Sequence, residues 1–532
     1  MCAYSKLGAF TSVDDFKQYC QTLGINLPCD SKILSDADGS PLSLPLAIGN
    51  RIVGNRWAIH PMEGWDANED GSPSEPLLRR WHKFGLSGAK VIFGGEAFAV
   101  RADGRANPRQ LYYNPAHVNK TLAMLRETVI NAHELTFGKN AANDMLVGLQ
   151  LTHSGRFSNP TWAGAAPKIA YHHPILDKRR GIDPNDDSCV FTDEQLYELT
   201  DCYVEAAKAA QRAGFDFVDV KHCHGYLGHE LLSGFDRPGD FGGSLENRSR
   251  FMRIIIQKIR AACPGLLIGV RLSVFDTVPY QPDPASAVPG KLGIGVPSAY
   301  PVPYPAFGCN RNNPTEIDLT EPIELIKSMG VRRYGSDSDL RRFQNSNPTC
   351  EKAVNEAGAS SLPHSQNPAT IDLLNLSAGS PYYNPHVSRP TYFPASDAYQ
   401  PPEDPLLGAF RQINAVREIK ERFPELPIIG TGYTYLQDFL PHVAQAVIRS
   451  GWTDMVGIGR MVLCYPEIIA HSLAGKPLDK KRICRTFSDC TTGPRNGLIS
   501  GCFPLDDYYR QRPEAKTLKE KKSARRKELG GN

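Results

Sequence analysis

The chain has 532 residues, 41% of them hydrophobic and 22% charged, with a formal net charge of +3: enough apolar material for a substantial core and too little charge to argue for nucleic acid as a partner. No stretch approaches the ~18 consecutive apolar residues of a membrane span, and the N-terminal "MCAYSKLGAFTSVDDF" lacks the apolar centre of a secretion signal, so the expected location is the cytoplasm. Thirteen cysteines, an odd number scattered along the chain, fit reduced thiols better than a disulfide framework.

Short apolar runs recur along the chain in a regular order: "NRWAIHPM" (55–62), "AKVIFGGEAF" (89–98), "LVGLQLTHSG" (146–155), "FDFVDVKH" (215–222), "LLIGVRLS" (266–273), "IDLLNLSAG" (371–379), "LPIIGTG" (426–432) and "DMVGIGR" (454–460). Amphipathic stretches lie between them, such as 193–214 and 436–451. Near-continuous Val/Ile/Leu strands joined by helices mean a parallel sheet covered on both faces. Eight such units in a row predict an α/β chain folded as a (β/α)8 TIM barrel. Residues 1–515 are expected to form this one domain, entered through a hairpin, and 516–532 a solvated, frayed basic tail.

Two insertions interrupt the pattern. Residues 276–315, rich in Pro and Tyr, follow strand five and so belong to the catalytic rim, where a lid is expected. Residues 332–369 precede strand six, on the opposite face, and are expected to be disordered and without a catalytic part.

Chemistry in such barrels sits at the C-terminal ends of the strands. Each run here ends in polar or glycine residues: His60-Pro61-Met62-Glu63, Gly95-Glu96, Gln150 with His153, Lys221 to Tyr226, Arg271, Ser377 to Gly379, Gly430 to Gly432, and Gly457 to Arg460. The glycines ending strands seven and eight would leave backbone N–H groups free beside Arg460, a phosphate pocket.

"HPM" on strand one, "GLQLTHSGR" on strand three, "HGYL…DFGGSLENRSRF" after strand four, "GVRLS" on strand five and "DMVGIGRM" on strand eight together resemble the Old Yellow Enzyme group of flavin oxidoreductases. The resemblance is nearest the branch of 2,4-dienoyl-CoA reductase and trimethylamine dehydrogenase and covers roughly residues 45–505. It implies bound FMN, with NADH or NADPH as a diffusible donor. Gln150 and Arg271 would serve the pyrimidine edge of the flavin, Pro61 and Met62 its N5 side, Ala97 the ring, and Gly432, Gly459 and Arg460 the phosphate. His224 would be one of the pair that polarises a substrate oxygen and Tyr226 the proton donor.

The first member of that pair falls on Lys221, where relatives carry His. An ammonium suits a carboxylate or a developing enolate better than a neutral carbonyl, so carboxylate-bearing acceptors are expected. His222 is the alternative partner, disfavoured by strand alternation.

A second departure is at "CRTFSDCTTGPRNGLISGC". The iron-bearing relatives have four cysteines in this region, whereas this chain has Cys484, Cys490 and Cys502 with Phe487 between the first two. A cubane cluster usually takes four thiolates, so no metal is expected. The implied reaction passes hydride from NAD(P)H through the flavin to an activated alkene. Oxidation of an amine or C–H donor is the alternative within enzymes, and a non-catalytic flavin-binding barrel the alternative outside them. A small-molecule substrate is the one expected partner, with oligomerisation left open.

Overall fold

The computed structural model describes residues 4–332 and 369–531. After an antiparallel hairpin of β1 (Leu46–Ile48) and β2 (Arg51–Val53), eight parallel positions close into a ring: β3 (Trp57–Ile59), β4 (Val91–Ile92), β6 (Leu146–Thr152), β7 (Phe217–His222), β8 (Leu267–Ser273), β11 (Leu373–Ser377), β12 (Ile428–Gly430) and β13 (Met455–Ile458). Pairing of β13 with β3 and of β4 with β6 completes the circuit, and β5 (Ala97–Ala99) extends the second position along β6. Every apolar run of the sequence is a barrel strand. The expected (β/α)8 barrel and its entry hairpin are therefore borne out.

The period of two decides what each strand offers. Along β7, Phe217 joins the packed bottom of the barrel with Ala58, Val91, Phe93, Leu146, Leu267, Leu373, Ile429 and Met455, while Val218 and Val220 join the helix-facing core. Each such buried side chain contributes about 1.5–3 kcal/mol. The hairpin plugs this end, since Ile48 and Val53 belong to the same cluster. Gly148 makes room for the plug: a Cβ there would lie 2.3 Å from the Phe217 ring. Above the plug the inward positions turn polar, through Asp219, Lys221, Arg271 and Asn375, so the strands deliver charge to one rim.

Helices follow in the expected places, among them Asp193–Arg212, which starts from a Thr192/Gln195 capping box and buries Leu196, Leu199 and Tyr203 at helical spacing. Among the described residues no helix is long and apolar enough to cross a membrane.

Two sequence expectations meet the structure differently, and a third falls outside it. The tail is not frayed: Pro513–Glu528 is one helix, anchored by buried Leu518 against Ile499, Phe503 and Tyr509 and by a Lys522–Asp489 ion pair of 2.6 Å. Its single apolar anchor is easily overlooked among so many charges. The insertion after β8 forms a small hairpin of β9 (Tyr280–Pro282) and β10 (Gly295–Pro297) with its own cluster of Val278, Tyr304, Ala306 and Cys309. Residues 333–368, most of the second insertion, lie outside the described residues.

Candidate active site

A cavity of about 250 Å³ opens at the C-terminal rim of the barrel. Its walls include Pro61, Met62, Gln150, Lys221, His224, Tyr226, Arg271, Gly432, Gly459 and Arg460. Ala97 is the one expected site residue that the fold does not bring to this wall: it is fully buried in β5, where its carbonyl accepts from Gln110 Nε2 at 3.1 Å. No residue of the 276–315 insertion lines the cavity either; the rest of the wall includes the loop after β11, through Pro381, Tyr382, Arg389 and Pro390, and the segment carrying Cys490 and Arg495.

The floor is a chain of buried polar contacts. Gln150 Nε2 donates to Asp219 Oδ2 at 2.5 Å, and the Arg271 backbone N–H donates to Asp219 Oδ1 at 2.7 Å. Burial pushes the Asp219 carboxyl up to about 7, opposed by the Gln150 hydrogen bond and the nearby guanidinium. Arg271 holds the Pro61 carbonyl through Nη1 at 3.0 Å, yet its Nε is buried with no protein partner. Burial lowers its pKa from the ordinary arginine value. A desolvated guanidinium facing a cavity asks for an acceptor that the protein does not itself provide.

The strand-one loop is held by a buried triad. Arg80 spans Asp66 and Glu96, at 2.5 and 2.9 Å, with 2% of its side chain exposed and none of either carboxylate's. Glu96 also accepts from the Gly64 N–H at 3.1 Å, and Met62 donates its N–H to the Gly95 carbonyl at 3.1 Å. Pro61, Met62 and Glu63 are thereby fixed against β5.

Lys221 and His222 face opposite ways. Lys221 enters the cavity, whereas His222 sits 6.2 Å, ring to ring, from Phe251 in the surrounding helix layer. The Lys221 ammonium meets Glu63 Oε1 at 2.5 Å and lies 3.8 Å from the centre of the Tyr226 ring. Tyr226 donates to the other Glu63 oxygen and shares a 2.8 Å hydrogen bond with the Tyr382 hydroxyl. Burial first, then the Glu63 charge, lifts the Tyr226 phenol well above its usual range. Tyr382 stacks on Phe157 at 4.0 Å with an 11° interplanar angle, forming an aromatic wall.

His224 occupies a left-handed backbone conformation at φ 65° and shares a 2.8 Å hydrogen bond between Nε2 and Ser377 Oγ. Such a strained position at a strand end is a mark of functional loops. Burial, with the charges of Arg271 and Lys221, holds the imidazole neutral. The turn is braced from behind by His229, whose Nδ1 accepts from the Gly225 N–H at 2.9 Å. Burial pushes His229 down to about 3, so between that value and the ordinary 6.5 the unfolded chain binds the extra proton and stability falls as pH falls. His229→Gln keeps the acceptor and removes the titration. Urea unfolding should therefore show this variant gaining about 2–3 kcal/mol on the wild type between about pH 7.5 and about pH 4.5.

The far end of the cavity is cationic. Arg460 has a buried Nη1 without a protein partner, and beside it Arg389 has an unpartnered Nε. Burial and the Arg460 charge bring Arg389 down to about 9. At Gly459 a Cβ would meet nothing closer than the Met62 sulfur at 3.8 Å, so the backbone there borders open space. Two guanidiniums and a bare backbone edge make an anion site.

The cysteine region adds one residue that the sequence reading did not connect with it. Phe487 turns out, 36% exposed, and stacks on Phe393. The thiol of Cys464, from the short helix after β13, lies against those of Cys484 and Cys502. Its hydrogen bond, with Arg460 and Arg389 nearby, brings Cys484 down to about 6 against the effect of burial, while burial pushes Cys490 up to about 11. Among the described residues no group of three or more His, Cys, Asp or Glu side chains has the geometry to hold a metal ion.

Glu63, Tyr382 and Arg389 had been given no role. Glu63 was visible in the ending of strand one, but its partner is 158 positions away. Tyr382 and Arg389 carry only the signal of a Tyr/Pro-rich loop directly after β11.

Residues 41–287 match the NADH:flavin oxidoreductase / NADH oxidase family. An NADPH dehydrogenase of Geobacillus sp. (strain WCH70) is 31% identical over 250 residues, covering 45% of this chain and 64% of its own length. An NADH:flavin oxidoreductase of Gibberella zeae is 29% identical over 258 residues, covering 44% and 57%. The chain thus spans less than two thirds of the curated relatives it matches. Solved structures share the fold: a 2-naphthoyl-CoA reductase at TM-score 0.58 and 17% identity, covering 88% of this chain and 57% of that one, and the Old Yellow Enzyme homologue of Zymomonas mobilis at 0.50 and 20%, covering 83% and 94%. The resemblance to flavin oxidoreductases read from the motifs is borne out over residues 41–287.

Proposed function

We propose, from the premise that the chain is a relative of the NADH:flavin oxidoreductase / NADH oxidase family over residues 41–287, that it is an FMN-dependent NAD(P)H oxidoreductase reducing an activated alkene. The observation that carries this reading is Arg271, a buried guanidinium with a free Nε at the cavity floor beside Gln150. The residues present fit a flavin. Gln150, Arg271 and the backbone at Pro61 and Met62 would hold the ring system; Gly432, Gly459, Arg460 and Arg389 would hold the phosphate. When bound, FMN supplies two-electron exchange between a nicotinamide donor and the acceptor.

The chain's own residues do the rest. His224, neutral through burial, offers a hydrogen bond to an acceptor oxygen. Tyr226 keeps its proton through the working pH range and stands ready to deliver it to carbon. Tyr382 walls the cavity, its ring backed by Phe157.

Acid extraction of purified protein should release about one FMN per chain, and Arg271→Ala should lower that content. FAD, or no flavin from well-folded protein, would sink the proposal. Protein purified anaerobically should contain negligible iron and acid-labile sulfide, given Phe487 at the missing cysteine position. Iron near four per chain would instead make Cys464 the replacement ligand.

A further inference from the structure

We infer that Glu63 is the internal counter-ion of Lys221 and thereby bars carboxylate-bearing acceptors from the cavity, a specificity role that rests on the reading above. The sequence alone leaves the Lys221 ammonium open to a substrate carboxylate. In the fold that position is taken: Glu63 Oε1 lies 2.5 Å from Nζ, and Nζ also lies 3.8 Å from the centre of the Tyr226 ring. Glu63 also stands outermost, with 18% of its side chain exposed against 3% for Lys221. An incoming carboxylate therefore finds the ammonium already paired, with the more exposed partner carrying like charge.

The other cations lining the cavity have other roles: the free Arg271 Nε would serve the flavin, Arg389 and Arg460 would hold its phosphate, and Arg495 pairs with Asp397 at 2.9 Å. Arg271, beside Lys221 in the β7–β8 register, already holds the Pro61 carbonyl. Asp219 is tied to Gln150 and to the Arg271 backbone. The Asp66–Arg80–Glu96 triad is closed on itself. Removing the Glu63 charge alone would leave Lys221 as a buried, unpaired ammonium, and a carboxylate would be its natural ligand.

The test uses flavin-loaded protein and two isosteric probes, cinnamate and cinnamamide, with binding measured by calorimetry so that turnover is not needed. The wild type should prefer the amide. Glu63→Gln, which retains shape and an acceptor for the Tyr226 hydroxyl, should shift the preference toward cinnamate by about ten- to a hundredfold, the range of a hydrogen bond to a charged group. The gain should vanish in Glu63→Gln/Lys221→Met. Glu63→Ala serves the same comparison if the glutamine variant does not fold. Because the readout is binding, any effect of the substitution on proton delivery by Tyr226 does not enter it. A wild type that prefers cinnamate, a ratio unmoved by the substitution, or no cinnamate binding to the Glu63 variant overturns the inference. Protein that carries no flavin defeats the function proposed above; flavin-loaded protein with an unmoved ratio defeats this inference alone.

Discussion

Tyr226→Phe should slow consumption of an alkene by enzyme pre-reduced with NADPH by ~10²–10⁴-fold, the usual worth of positioned proton transfer, while NADPH oxidation in the reductive half-reaction stays nearly unchanged. The substitution removes one oxygen and keeps the ring, so the packing on Tyr382 and Phe157 survives. What is lost is a proton held by burial and by Glu63, on a phenol whose anion would lie under the Lys221 ammonium. Rapid-mixing measurements of the two half-reactions separate the effects. Equal losses in both would make Tyr226 a binding residue.

Arg80→Met should cost about 3–5 kcal/mol of stability, because it strands two buried carboxylates that have no other cation in reach. Asp66 and Glu96 are both fully inaccessible, and Glu96 in addition holds the Gly64 N–H. The damage should reach the site, since the same contacts seat the Pro61-Met62-Glu63 loop. Denaturant unfolding and the flavin content of the folded fraction would check both parts. Unchanged stability would mean that the triad contributes little to the fold.

Much of this was legible because the barrel writes itself in a period of two. The alternation that sends Phe217 to the plug and Val218 outward also decides that Lys221 enters the cavity and His222 does not. Strand-end residues such as Gln150, Arg271 and Arg460 could be placed for the same reason: the fold class dictates which end of each strand carries them. Ala97 does not line the cavity wall: β4 and β5 are separated by Gly94-Gly95, two residues at positive φ, and Ala97 pairs in register with Gln150 on β6. The tail was read by its charge, which says nothing about where Leu518 packs.

The order of strands, the polar rim and the resemblance to flavin oxidoreductases were determined by the sequence itself, since local periodicity and short motifs need no knowledge of distant contacts. Only the tertiary structure decided the charge state of the site. Glu63 and Lys221 are 158 positions apart, the thiol of Cys464 reaches those of Cys484 and Cys502, and the Arg389 loop closes over the cavity from β11. Coulomb energy depends on separation in space and on local burial. Neither quantity is encoded in a motif's spacing, so the residue that governs Lys221 becomes visible only once the barrel has closed.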